Sequence, residues 1–244
     1  MEIKEFRYLL SAAFLLAALS ATAQSDFGIW TSVGAEKKIN KKLSVDLEAE
    51  MRTRDNSSSI DRWSGEFDAT YKLTDWLKAT AGYVFLYDRN EEKTTYKRSG
   101  KVNNYRPGYW GNRHRVHFDL TSGFDLGNWN ISLRERWQYT YRPEVTTTRW
   151  DNDNEYWEDT KVEGKAKHVL RSRLQVQYGF KKLEPYGSVE LYNGWNLQKV
   201  RYTLGTDYTI KKHHKVGIYY RYQTVNDDDE PSRHILGASY KYKF

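Results

Sequence analysis

Charged residues of both signs recur at every second position through much of this 244-residue chain. They are Asp46, Glu48, Glu50, Arg52 and Arg54, then Glu66 and Asp68, then Arg113, Arg115 and Asp119. Arg134 and Arg136, Arg171 and Arg173, Glu190, Arg201, Asp207 and Arg221 complete the set. A period of two places each run on one face of an extended strand. If those faces line a common interior, ten arginines and eight carboxylates have two chemistries open to them. Charge-assisted pairing would satisfy both signs and brace the wall from inside. An open, arginine-lined path would instead favour anions. The near balance of signs favours pairing, and with it the expectation that Glu48 and Glu50 each hold a neighbouring arginine.

The residue types of lipid deacylation also occur. His168 and Ser172 share the opposite face, and Glu135 interrupts the apolar run between Leu133 and Trp137. Four residues along a strand span about 13 Å, too far for a nucleophile and its base. Glu135 reads equally as a bulge or a strand end. No catalytic residue is expected. Two acidic stretches, Asp151-Asn152-Asp153-Asn154-Glu155 and Asp227-Asp228-Asp229-Glu230, could hold a hard cation, but neither has the central Gly and terminal Glu of a calcium loop. Solvated loop charge is the plainer reading, and bridging to lipopolysaccharide phosphates the second. His213 and His214 stand among lysines with no further ligand type close in sequence, so neither a metal nor a cofactor is expected. With no cysteine there is no disulfide, thiol nucleophile or lipoprotein anchor.

The elements that must position these residues are strands. Leu43, Val45, Leu47, Ala49 and Met51 alternate with the first charged run, a pattern natural in a wall between lipid and a polar lumen. Trp63, Phe67, Ala69 and Tyr71 repeat it, as do Leu77 to Tyr87, Val116 to Leu120, Trp129 to Tyr141, Leu174 to Phe180, Pro185 to Trp195, Tyr202 to Ile210 and Val216 to Tyr222. With Phe27 to Ile39 first and His234 to Phe244 last, the count is eleven. Short turns centre on Asn40, Asp75, Gly127, Lys182 and Lys212, and long polar loops run from Asp88 to Tyr109, Pro143 to Lys165 and Val225 to Arg233. Bacterial single-chain barrels have even counts, so the expectation is ten to twelve: residues 24–39 either hide a second strand or stay outside the wall. The fold class is all-β, an antiparallel transmembrane β-barrel with short periplasmic turns and longer extracellular loops. The 9 Trp, 20 Tyr and 9 Phe suit a membrane-water boundary.

Lys4 and Arg7, the apolar run Leu9 to Leu19 and Ala21-Thr22-Ala23 form a signal peptide, residues 1–23, cut after Ala23. The run is too short to span a bilayer as a helix. The barrel domain is then 24–244. A net charge of +7 survives the cut, because Lys4 and Arg7 offset Glu2 and Glu5. Its single, scattered cations do not suggest nucleic acid.

At the other end, Leu236, Ala238, Tyr240, Tyr242 and Phe244 form one aromatic-rich face. With Gly237, Tyr240, Tyr242 and the terminal Phe244, this strand resembles the C-terminal signal through which the barrel assembly machinery recognises outer-membrane barrels. D-F-G-I-W-T-S at Asp26 to Ser32, Arg52-x-Arg54, R-H-R at Arg113 to Arg115, E-P-Y-x-S-V-E-L at Glu184 to Leu191, R-Y-T-L-G at Arg201 to Gly205 and the Y-K-Y-K-F terminus resemble an outer-membrane family catalogued as domain of unknown function 2490. The resemblance implies a barrel in the bacterial outer membrane, among its lipids and lipopolysaccharide, and offers no ligand or catalytic residue to carry over. The functional expectation is a structural barrel or narrow solute or ion channel; the alternative is a lipid-modifying enzyme of phospholipase or deacylase type.

Overall fold

Alternation with period two becomes fifteen strands in a computed structural model that describes residues 25–226 and 231–244. They are β1 (Asp26–Lys38), β2 (Leu43–Arg54), β3 (Ser59–Lys72), β4 (Leu77–Asn90), β5 (Lys93–Tyr96), β6 (Val102–Arg106), β7 (Tyr109–Leu126), β8 (Trp129–Arg142), β9 (Val145–Asp151), β10 (Tyr156–Val162), β11 (Lys165–Tyr178), β12 (Leu183–Asn193), β13 (Leu197–Lys211), β14 (His214–Val225) and β15 (Arg233–Lys243). The segment expected to be a signal peptide, residues 1–23, lies outside the described residues, as do Gln24 and the run Asp227 to Glu230.

Eleven strands close into a barrel in the order β1-β15-β14-β13-β12-β11-β8-β7-β4-β3-β2. At 11 to 18 residues each is long enough to cross a bilayer obliquely. The odd count stands, and neither adjustment toward an even number is needed. Of residues 24–39, the described ones, 25–39, contribute one strand, β1, which joins the wall on both edges. The geometric consequence is a single parallel seam: β1 runs beside β15 from Asp26↔Arg233 to Glu36↔Lys243, while every other barrel pairing is antiparallel. Parallel pairs are slightly weaker per residue. Ion pairs at both ends reinforce this one, Asp26 with Arg233 at 3.6 Å and Glu36 with Lys243 at 3.6 Å. At its centre Gly237 faces inward opposite Trp30, and a Cβ there would collide with the Tyr219 ring. Gly237, expected from the sequence to belong to an assembly signal, has a packing role in the folded wall.

Turn chemistry is local. The Asn40 side chain accepts the amides of Lys42 and Leu43, both at 2.8 Å, and Thr74 Oγ1 accepts the Leu77 amide at 3.0 Å. Outward side chains are exposed, as lipid-facing ones must be: Leu47 by 60%, Phe118 by 58% and Leu204 by 62%. Inward neighbours such as Leu86, His117 and Ile235 are fully buried. Rings gather toward both barrel ends, with Trp76 on Phe124, Trp129 on Tyr178 and Tyr242 on Phe244 at the turn end, and Tyr87 on Trp110 and Tyr222 on His234 at the loop end.

Two of the long polar loops are folded rather than irregular. Hairpins β5–β6 and β9–β10 join through Asn104↔Asp151 and Tyr105↔Trp150 into a four-stranded sheet beyond the barrel mouth. Trp157 packs edge-on against both Trp150 and Tyr105 and gives that sheet its apolar contact.

Candidate functional site in the barrel lumen

Inward positions on successive strands meet because cross-strand partners share a face. Along β2 the inward side chains run Arg54, Arg52, Glu50, Glu48, Asp46 from loop end to turn end; along β7 they run Arg113, Arg115, His117, Asp119. On β13 the same direction leads from Arg201 to Asp207. On these strands cations lie toward the loops and carboxylates toward the turns.

The arginines converge on few anions. Glu190 on β12 is buried and accepts from Arg134 at 2.6 Å and Arg171 at 2.9 Å, with Arg201 at 3.8 Å and the Tyr192 hydroxyl donating at 2.9 Å. Arg171 and Arg201 each lie 4.6 Å from the Tyr192 ring. Trp30 lies under three guanidiniums, Arg52 at 3.7 Å and Arg201 and Arg221 at 5.1 Å, so that aromatic faces take part of the load. Glu50 holds Arg52 at 2.6 Å, and Arg54 binds Glu91 at 2.6 Å. Arg113 meets Asp88 at 3.0 Å. Arg115 and Arg221 donate to threonine hydroxyls, Thr140 and Thr203, at 3.0 Å each, and Arg173 has a buried Nε with no hydrogen-bond partner.

Glu48 does not hold an arginine. It lies directly opposite Glu66 and between Glu50 and Asp46 on its own strand, and the nearby cation Lys241 takes Asp46 instead, at 2.8 Å. The expectation that Glu48 and Glu50 each hold a neighbouring arginine is met by Glu50 and fails for Glu48, because the register of β2 against β3 sets Glu48 beside Glu66. Asp207 pairs with Lys215 at 2.9 Å.

A second cluster lies toward the turn end. His117, fully buried on β7, has Nε2 3.1 Å from Glu66 and 3.1 Å from Asp68, and Nδ1 3.0 Å from Asp119. Arg136 grips Asp119 with two parallel hydrogen bonds of 2.8 and 2.7 Å and reaches Glu66 at 3.5 Å. Sequence analysis sees no metal-ligating set; the fold brings Glu66, Asp68 and His117 together with donor atoms all within 4.8 Å. The available signal was the pair of i, i+2 motifs, Glu66-x-Asp68 and His117-x-Asp119, on inward faces. Sequence reasoning also missed Arg62 and Asp88, an ion pair buried in the lumen, and the platforms Trp30 and Tyr192.

On the outer face Ser172 donates to Glu135 at 2.6 Å, directly across an unbroken β8–β11 ladder, so Glu135 marks neither a bulge nor a strand end. His168 instead packs its ring on Trp137 and Tyr139. In the outer sheet the Asp151 carboxylate accepts the amides of Asp153 and Asn154 at 2.8 and 3.2 Å, which holds it below the usual carboxylate range, and Lys97 pairs with Asp153. His213 and His214 contact the Lys243 carbonyl and the Tyr240 hydroxyl. Between sheet and barrel lies a cleft of about 540 Å³ whose cations include Lys93, Arg106, Arg142, Arg149, Lys161 and Lys165.

A closed transmembrane barrel with lipid-facing apolar side chains and a charged interior is an outer-membrane β-barrel protein. This chain belongs to the family described as protein of unknown function (DUF2490), which matches residues 27–234. No curated protein matches it. Among solved structures it is similar to the β domain of the Bordetella autotransporter BrkA, at 15% identity over 83% of this chain and 82% of that one, TM-score 0.52. That likeness is one of fold. Weaker likenesses reach the CymD monoaromatic hydrocarbon channel (11% identity, 77% of this chain, 66% of that one, TM-score 0.41) and a porin (12%, 82%, 58%, TM-score 0.33).

Proposed function

We propose that this protein is a structural barrel of the bacterial outer membrane whose lumen is closed by its own side chains. The observation that supports this is a set of chords joining strands three places apart around the wall. Arg136 on β8 reaches Glu66 on β3 at 3.5 Å, Arg233 on β15 reaches Asp61 on β3 at 3.7 Å, and Arg201 on β13 stacks on Trp30 of β1 at 5.1 Å. An eight-stranded barrel is already filled by side chains, and diameter grows roughly in proportion to strand number, about 1.4-fold for eleven; these long charged and aromatic side chains reach into the added width. In planar bilayers the purified protein is expected to show no resolved conductance steps under conditions where a water-filled porin does. A second reading, a narrow anion path, draws on Arg115, Arg173 and Arg221, which have no carboxylate at ion-pair distance among the described residues; stepwise, chloride-selective currents would establish it in place of the closed barrel. Lipid hydrolysis draws no support from Ser172, whose hydroxyl faces a carboxylate rather than an imidazole.

Export follows cleavage after Ala23 in this reading, and β15 presents its aromatic face to the assembly machinery. Deleting Phe244 is expected to reduce the heat-modifiable barrel in outer membranes severalfold and to leave periplasmic aggregate. Undiminished heat-modifiable protein after the deletion would remove the C-terminal signal from this account. The basic cleft under the outer sheet is where phosphates of lipopolysaccharide would be held, because clustered guanidinium and ammonium groups match their charge.

A further inference from the structure

We propose that Glu66, Asp68 and His117 form a binding site for one divalent first-row transition cation in the lumen. One imidazole and two carboxylates are the donor set of zinc and its neighbours rather than of calcium or magnesium, which prefer oxygen alone. Metal-donor bonds of 2.0–2.2 Å imply donor-donor edges of about 3.3–3.6 Å in a tetrahedral site, and His117 Nε2 already sits 3.1 Å from an oxygen of each carboxylate, so the donors need part by only a few tenths of an ångström. The Asp68 oxygen on that edge is buried and accepts no hydrogen bond, so a bound cation would give it the partner it lacks.

The surroundings are those of a ligand held for metal. His117 Nδ1 faces Asp119 at 3.0 Å, and Asp119 is itself fixed by the two-pronged grip of Arg136. A carboxylate behind the ring sets the tautomer that leaves Nε2 free to ligate. Space for the ion comes from Gly82, the β4 residue that is cross-strand neighbour to both Asp68 and His117. A Cβ at position 82 would strike Asp68 Oδ1 and His117 Nε2. Charge points the same way: three carboxylates and one guanidinium leave two negative charges, and Glu48 opposite Glu66 adds another. A protonated His117 cancels only one of these, whereas a divalent cation cancels two.

The test uses the folded full-length barrel in detergent, stripped with chelator and titrated with Zn²⁺ and Co²⁺. The expected result is one ion per chain, Co²⁺ absorption bands in the visible, and X-ray absorption showing one imidazole with oxygen donors. His117→Gln and Gly82→Ala should abolish binding, Asp119→Asn should weaken it about 10–100-fold, and Glu184→Gln, outside the cluster, should leave it unchanged. Heat-modifiable migration checks that each variant is folded. Stripped wild type that binds neither ion at one per chain overturns the proposal, as does wild-type affinity in folded His117→Gln. Should His117→Gln not fold, bound metal in wild type that lacks the imidazole signature overturns it equally.

Discussion

Glu190→Gln is expected to destabilise the barrel by about 3–5 kcal/mol, whereas Glu48→Gln, an identical change on the same lumen wall, is expected to leave stability unaltered or raise it slightly. Glu190 is the carboxylate on which Arg134, Arg171 and Arg201 converge, and its side chain is 7% exposed. The amide keeps the shape and removes the charge, so three guanidiniums, already short of anions, lose the nearest one. The cost of an uncompensated buried charge exceeds the modest worth of an exposed pair. Glu48 has the opposite surroundings: Glu66 across the ladder and Glu50 and Asp46 two residues to either side. Like charges directly opposite on neighbouring strands are unfavourable by roughly 0.2–1 kcal/mol, so neutralising Glu48 relieves repulsion. Urea unfolding of the two metal-free variants in lipid vesicles measures the difference. Equal midpoints for Glu190→Gln and Glu48→Gln would contradict the assigned partners, and a larger loss in Glu48→Gln would invert them.

A second large effect is positional. Because the strand count is odd, Asp26 begins β1 at the loop end, where its amide donates to the Ser232 carbonyl, while Phe244 finishes at the turn end with its amide donating to the Glu36 carbonyl. A short epitope inserted between Gln24 and Ser25 is therefore expected on the extracellular side once the signal peptide is cut after Ala23. Antibody should bind it on intact cells as strongly as an epitope placed between Trp195 and Asn196, in the loop joining β12 and β13. An epitope between Gly127 and Asn128, in the turn joining β7 and β8, should bind only after the outer membrane is permeabilised. A barrel with ten or twelve strands in the wall would move the first epitope into the periplasmic group. Intact mass of the extracted protein checks the cut, with Gln24 expected as the first residue.

Much of this architecture was legible in the chain itself. Strict alternation, as in Leu43 to Arg52, is the pattern of a strand with one apolar and one polar face. Asn40, Thr74 and Gly127 carry turn chemistry in their own side chains or in the lack of one, so the number of wall strands followed from local signals. Only the precedent of even counts argues against that number, and what resolves it is the β1–β15 seam, a contact between the first and last strands that no local pattern encodes. The loops Asp88 to Tyr109 and Pro143 to Lys165 read as polar because their hairpins are mostly solvent-facing; their pairing depends on two strands of separate loops meeting edge to edge.

Within the lumen, alternation determined which residues point inward but not whom they meet. Partnership across a barrel depends on strand tilt and on register summed over every intervening strand, and neither is written at any one position. That sum placed Glu48 beside Glu66 rather than an arginine, and stacked Arg52, Arg201 and Arg221 on one Trp30 ring. It also carried His117 over the bare face of Gly82 to Glu66 and Asp68. Charge inventory and fold class were properties of the sequence; the pairing of those charges, and the meeting of Glu66, Asp68 and His117, were settled by the geometry of closure.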